Sequence, residues 1–278
     1  MKTQRARVLP ARLVVMLLLI VGAIIALTPI VWLIAATTKG SDDMFHYEFF
    51  PPLSHITGGD YHDLFTKSPF LRYLINSVFV TSAIVIVQLF FSSLSGFALA
   101  KYQFRGKNAV MAIMLGTLLL PAQLTMAPLY DLLYHLGMID SYSGLIVPAA
   151  VSVFGTFLFR QSMAQVPDEL LQAARIDGCS EFRIYWDVVM PVSRPMVGAF
   201  CLMSFMGAWN NFLWPQIVLH RQELFTLPIG LNQLVTIYNT NYGMLMAGTL
   251  LSVVPVVILF VLLQREFVAG LTAGAVKG

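Results

Sequence analysis

Trp209, Asn210, Asn211 and Trp214 place two indole rings beside two carboxamides at one depth of an apolar segment. Aromatic faces next to amide donors and acceptors suit a polyhydroxylated ligand such as a sugar. Amides in an apolar helix also serve simply to bond a neighbouring helix, so both readings stay open. A second set, Asp168, Glu169 and Asp177, offers carboxylates for acid–base work. Such work needs groups that converge in a pocket, and these three lie on a helix start and a corner with no histidine beside them. An enzyme is therefore the last-ranked reading. Other chemistries lack their residues. No GxxxxGK followed by Ser or Thr is present to cradle ATP phosphates, and neither Gly-x-Ser-x-Gly nor His-Glu-x-x-His occurs. His46, His55 and His62 lack tight metal-ligand spacing, so neither a metal nor a cofactor is expected, and nothing points to nucleic acid. Cys179 and Cys201 read as packing residues, not a disulfide.

The elements that must position these residues are membrane helices. Of the 278 residues 58% are hydrophobic and only 11% charged, with a mean hydropathy of +0.76. A soluble domain carries about 25% charged residues. A bilayer core takes roughly 20 mostly apolar residues per helix. Six runs qualify, at about 13–36, 75–98, 109–129, 145–159, 196–219 and 244–263, the fourth being short. The first exceeds a signal-peptide core. Within these boundaries no run contains Asp, Glu, Lys or Arg, which disfavours an ion-coupled transporter. Ser92 and Gly96 have the spacing that lets two helices approach closely.

Lys and Arg placement sets orientation. With the amino terminus inside, thirteen of the 17 fall on inner segments; only Lys39, Lys67, Arg72 and Arg221 fall outside. The expected fold is all-α and integral to the membrane: six transmembrane helices with both termini cytoplasmic. Residues 1–12 form a cytoplasmic start, 13–265 a single transmembrane domain and 266–278 a cytoplasmic tail. The first outer segment, 38–70, reads as irregular.

One inner segment stands apart. LLQAARIDGCSEFRIYWDVVMPVSRP (170–195) carries helix grammar and charge between two greasy runs. Pro167 suits a first helical turn, with Asp168 and Glu169 at the positive end of the dipole. Gly178 stops this helix, and Ser180 caps a second running towards Val189. On the second, Phe182, Tyr185, Trp186 and Val189 fall on one apolar stripe. Pro191 and Pro195 close the unit. The result is a helix–glycine–helix elbow within about 160–195, with a corner of Ala173, Ala174 and Gly178 small enough for a partner to approach the backbone. It has the form of a docking knob; an amphipathic helix pair lying on its own bundle remains the alternative.

This elbow resembles the "EAA" coupling loop of ABC-importer permeases, whose pattern is Glu-Ala-Ala, three residues, Gly, nine residues, Ile-x-Leu-Pro. Ala173, Ala174, Gly178 and Pro191 match at the right spacing, while Gln172, Val188 and Met190 replace the glutamate, isoleucine and leucine. The segments AWNNFLWPQIVL (208–219), FTLPIGL (225–231) and VAGLTAGAVKG (268–278) resemble carbohydrate-type permeases of the maltose-system kind. RIDGCSEF followed by WNNFLWP is similar to arabino-oligosaccharide and lactose permeases, and also to glycerol-phosphate ones.

The resemblance implies a permease subunit of a sugar importer in the bacterial inner membrane, multi-pass in membrane lipid. A second related permease subunit, nucleotide-binding ATPase subunits and an extracytoplasmic sugar-binding protein would be its partners. ATP hydrolysis would lie in a partner. The ATPase-coupling residues would be Gln172, Ala173, Ala174, Arg175, Asp177, Gly178, Phe182, Tyr185, Trp186 and Pro191, with the tail from Gly270 as a further contact. Trp209, Asn210, Asn211 and Trp214 would lie on the substrate path. The competing reading is a self-contained secondary transporter or channel.

Overall fold

The computed structural model describes residues 2–40, 46, 49–235 and 241–273, with side chains between residues 12 and 270 of those ranges. All regular elements among them are helical. The chain divides into two compact units, Met1–Phe70 with Leu231–Val253, and Leu71–Gly230 with Val254–Gly278.

In the first unit α1 (Lys2–Ala36) includes 25 residues, Arg12–Ala36, long and apolar enough to cross a membrane. Leu17, Leu18 and Leu19 stand exposed along it, as a face meant for lipid would. The segment expected to be irregular contains a helix, α2 (Gly59–Lys67). Asp60 in its first turn and Lys67 in its last complement the helix dipole. Lys67 also pairs with Asp63 one turn back (2.7 Å), while Leu64 is fully buried. Pro51-Pro52 and Gly58-Gly59 suggest an irregular run, but Gly59 is only this helix's first residue.

The second unit is built around α3 (Phe70–Lys101). Two helices follow, α4 (Lys107–Thr117) and α5 (Ala122–His135), bent by 101° where Pro121 precedes α5. Next come α6 (Ser143–Ile146), α7 (Val153–Met163), α8 (Asp168–Ile176), α9 (Glu181–Val192), α10 (Arg194–Trp209), α11 (Leu213–Val218) and α12 (Leu227–Asn232). The last helix, α13 (Tyr242–Ala273), returns to this unit from Val254 onward.

Among the described residues three helices are long and apolar enough to span a membrane, and up to five spans result if each bent pair counts as one. The expected run 145–159 is divided between α6 and α7; the break contains Pro148, and Ser152 starts α7 by accepting from the Gly155 N–H (3.0 Å). The expected run 196–219 breaks after Trp209. There the Asn210 carboxamide turns back to the Met206 carbonyl (2.9 Å), competing with the ladder, and Pro215 two residues into α11 brings no N–H. Hydropathy alone registers neither break, because both lie inside apolar sequence.

The spacing of Ser92 and Gly96 does permit close packing. A Cβ at Gly96 would lie 2.5 Å from the Phe159 Cβ and 2.9 Å from the Arg160 nitrogen, so only glycine lets α3 and α7 meet there. Ser95 and Thr156 hydroxyls bridge the same interface at 2.9 Å. Beside it a core forms from Phe97, Phe159, Met163, Ile184, Tyr185, Val189 and Phe200.

Candidate functional site

The elbow is α8 and α9 with the turn between them. Helix α8 begins directly after Pro167 and ends in a Schellman turn: Gly178 N–H donates to the Arg175 carbonyl and Cys179 N–H to the Ala174 carbonyl, each at 3.0 Å. Gly178 sits at φ +77°, a conformation that costs other L-residues about 1–2 kcal/mol. A Cβ there would meet nothing within 4 Å. Ser180 caps α9 by accepting from the Arg183 N–H at 3.3 Å. Residues 184–189 of α9 are π-helical.

That widened turn splits the expected apolar stripe. Tyr185 and Val189 are fully buried, whereas Phe182 and Trp186 are 57% and 56% exposed. Exposed Ile176 adds a third large apolar side chain to the outer surface. The small corner divides too: Ala173 and Gly178 face outward, but Ala174 turns into the core beside Leu171. Ala174 therefore lets α8 lie close to its own unit. Gln172, Arg175, Asp177 and Pro191 are all on the outside.

Two polar clamps tie the elbow to the end of α3. Lys101, its stem buried, reaches the Val166 carbonyl and the Asp168 carboxylate (2.6 Å). The Arg175 guanidinium grips Glu181 with both arms, Nε to Oε1 at 2.8 Å and a terminal nitrogen to Oε2 at 3.1 Å, and the Tyr102 hydroxyl donates to the same carboxylate. These donors, Arg175 first and Tyr102 second, pull the Glu181 carboxyl down to about 2. Lys101 lowers Asp168 likewise. Below the clamps the Tyr185 hydroxyl meets Ser93 at 2.7 Å and its ring packs on Phe97. Sequence reading overlooked Lys101 and Tyr102, since nothing local links them to residues more than sixty positions away.

A cavity of about 520 Å³ lies elsewhere in the same unit, walled by α3, α5, α10 and the segment around α11. The four candidate sugar contacts do not converge on it. Asn211 and Trp214 line it. Trp209 is instead buried and stacked on Phe205 (5.4 Å, 13°), and Asn210 is spent on Met206. Trp214 is fixed by its indole N–H donating to the Gly144 carbonyl at 3.2 Å. Ser77, Thr81, Gln88, Gln123, Thr125, Ser204 and Thr226 complete the polar lining. Their signal in the sequence was faint: neutral polar residues scattered through apolar runs. Thr226 arrives through a brace in which Asn76 donates to the Glu223 and Phe225 carbonyls (2.8 and 3.0 Å) and Ser77 accepts from Leu227 N–H (2.6 Å). Among the described residues no group of three or more His, Cys, Asp and Glu could hold a metal. The tail residues 274–278 and Lys277 with them lie outside the described residues.

Residues 88–271 match the family model of the binding-protein-dependent transport system inner membrane component. The chain is 40% identical over 260 residues to an arabinooligosaccharides transport system permease protein of Halalkalibacterium halodurans, covering 92% of this chain and 93% of that one. It is 34% identical over 274 residues to an sn-glycerol-3-phosphate transport system permease protein of Agrobacterium fabrum, covering 94% and 96%. A crystal structure of a bacterial ABC transporter involved in the import of the acidic polysaccharide alginate shares the fold, with a TM-score of 0.81 at 23% identity over 92% of this chain and 95% of that one.

Proposed function

The chain belongs to the binding-protein-dependent transport system inner membrane components, and from that membership we propose that it forms half of the path of an ATP-driven importer for sugars, the elbow α8–α9 being the part that docks on a separate ATPase. The observation that carries the coupling role is the elbow's construction. Its outer surface joins an unobstructed glycine corner to exposed Ile176, Phe182 and Trp186, while its inner side is clamped by Lys101, Tyr102 and Tyr185. A flexible tether would need neither feature. Exposed large apolar side chains on a rigid, charged knob are the makings of a protein interface.

The remaining assignments follow the same reading. Both termini are cytoplasmic, since basic residues concentrate on the segments that this orientation places inside. Residues 13–265 form the permease domain in the inner membrane, with span 3 bent between α4 and α5, span 4 made of α6 and α7, and span 5 of α10 and α11. A second related permease subunit supplies the other half of the path, and an extracytoplasmic binding protein delivers the sugar. The relatives' named substrates include both an oligosaccharide and a glycerol phosphate. A saccharide is the better fit to the aromatic and amide lining at Trp214 and Asn211. The test is mild-detergent purification of the tagged chain co-expressed with its neighbours, followed by uptake in proteoliposomes. Copurification of an ATPase and a second permease, with uptake that requires ATP, is expected. Transport by this chain alone, driven by an ion or solute gradient, would overturn the reading.

A further inference from the structure

Resting on the importer reading, we propose that the 520 Å³ cavity is a binding site for an uncharged saccharide, contacted by the Gln88 amide, and that it discriminates against anionic solutes.

The volume falls within the roughly 300–1,000 Å³ of small-molecule sites. Its lining contains no Asp, Glu, Lys, Arg or His. A phosphate or carboxylate entering it would lose its hydration and find no cation in this wall, a heavy cost away from water. A sugar hydroxyl needs only a mixture of neutral donors and acceptors. One of these is poised and unused. The Ser204 hydroxyl donates to Gln88 Oε1 at 2.7 Å, which fixes the carboxamide and leaves its nitrogen, with no acceptor among the described residues, for the cavity. Thr226 is 95% buried, and its hydroxyl has no hydrogen-bond partner. A buried hydroxyl left orphaned is costly to the chain. The Asn76 and Ser77 brace exists on both sides of Thr226 and holds it at the wall.

The experiment uses the whole complex in proteoliposomes, fed with a neutral arabino-oligosaccharide series and with sn-glycerol 3-phosphate. ATP-driven uptake of a neutral member and none of the phosphate is expected. Gln88→Glu should raise KM about tenfold, the equivalent of one good hydrogen bond. Ser204→Ala releases the Gln88 carboxamide from its bond and removes one lining hydroxyl, so it should raise KM severalfold with kcat kept. Thr226→Val removes an orphaned hydroxyl that the cavity does not reach, so it should raise the melting temperature and leave KM unchanged. Preferred uptake of the phosphate, or an unmoved KM in both the Gln88 and Ser204 variants of an ATP-driven complex, would overturn this inference alone. Purification without any ATPase partner would overturn the importer reading and this inference with it.

Discussion

Glu181 accepts both arms of the Arg175 guanidinium across the Gly178 turn, at 2.8 and 3.1 Å. One ion pair thus joins the two helices of the elbow, and Tyr102 ties the same carboxylate to the residue just beyond α3. Because α3 also lines the cavity at Thr81 and Gln88, the elbow's clamps and the proposed solute site share one helix. Half-exposed ion pairs are individually weak; this one matters through geometry.

The brace should titrate abnormally. Glu181 is held at about 2 against an ordinary 4.5, so its contribution to elbow order is present above 4.5 and disappears as pH falls through about 2. Side-chain carboxyl carbon shifts, with Glu181→Gln to assign the signal, should give a midpoint near 2. A midpoint at the ordinary value would mean that Arg175 and Tyr102 do not hold the carboxylate.

Gly178 should be sensitive in two separable ways. Gly178→Ala costs roughly 1–2 kcal/mol of backbone strain at positive φ and lowers the melting temperature modestly, since its Cβ meets nothing in the chain. Gly178→Trp should in addition abolish ATPase copurification and uptake. Normal uptake by a stably expressed Gly178→Trp complex would sink the docking role of this corner.

The two faces of α9 should respond oppositely. Phe182→Ala with Trp186→Ala removes exposed side chains and should change the melt of the isolated chain little, about 0.5 kcal/mol or less per site, while weakening retention of the ATPase. Tyr185→Phe should cost about 1 kcal/mol, because Ser93 keeps its bond to the Leu89 carbonyl. Tyr185→Ala opens the core and should cost roughly 3–5 kcal/mol. Thermal unfolding of the purified chain beside pull-down yields separates the faces.

Gly96→Ala should destabilise by roughly 1–3 kcal/mol through overpacking, since its Cβ would collide with Phe159 and the Arg160 backbone. Gly116→Ala in α4, where nothing lies within 4 Å, should instead be neutral or gain up to about 1 kcal/mol of helix propensity. Equal effects in a thermal melt would contradict the close α3–α7 contact.

Much was legible in the residues themselves. Hydropathy implied membrane helices, and the spacing of Pro167, Gly178 and Ser180 located the elbow, since caps and helix stops are local interactions whose residues sit within a few positions of one another. The glycine corner and its family resemblance were readable for the same reason. Tertiary structure decided what depends on distant partners. Tyr185 turned inward and Phe182 and Trp186 outward because π-helical residues 184–189 change the turn on which an even apolar stripe was drawn, while Ala174 went inward with Leu171 on the buried face of α8. The aromatic–amide cluster at 209–214 separated for a similar reason: the helix ends at Trp209, so Trp209 is buried against Phe205 and Asn210 is exposed while Asn211 and Trp214 enter the cavity wall. Lys101, Tyr102, Gln88, Ser204 and Thr226 acquired meaning only when the fold brought them to their partners, because hydrogen bonds and cavities are properties of proximity in space, which linear spacing does not encode.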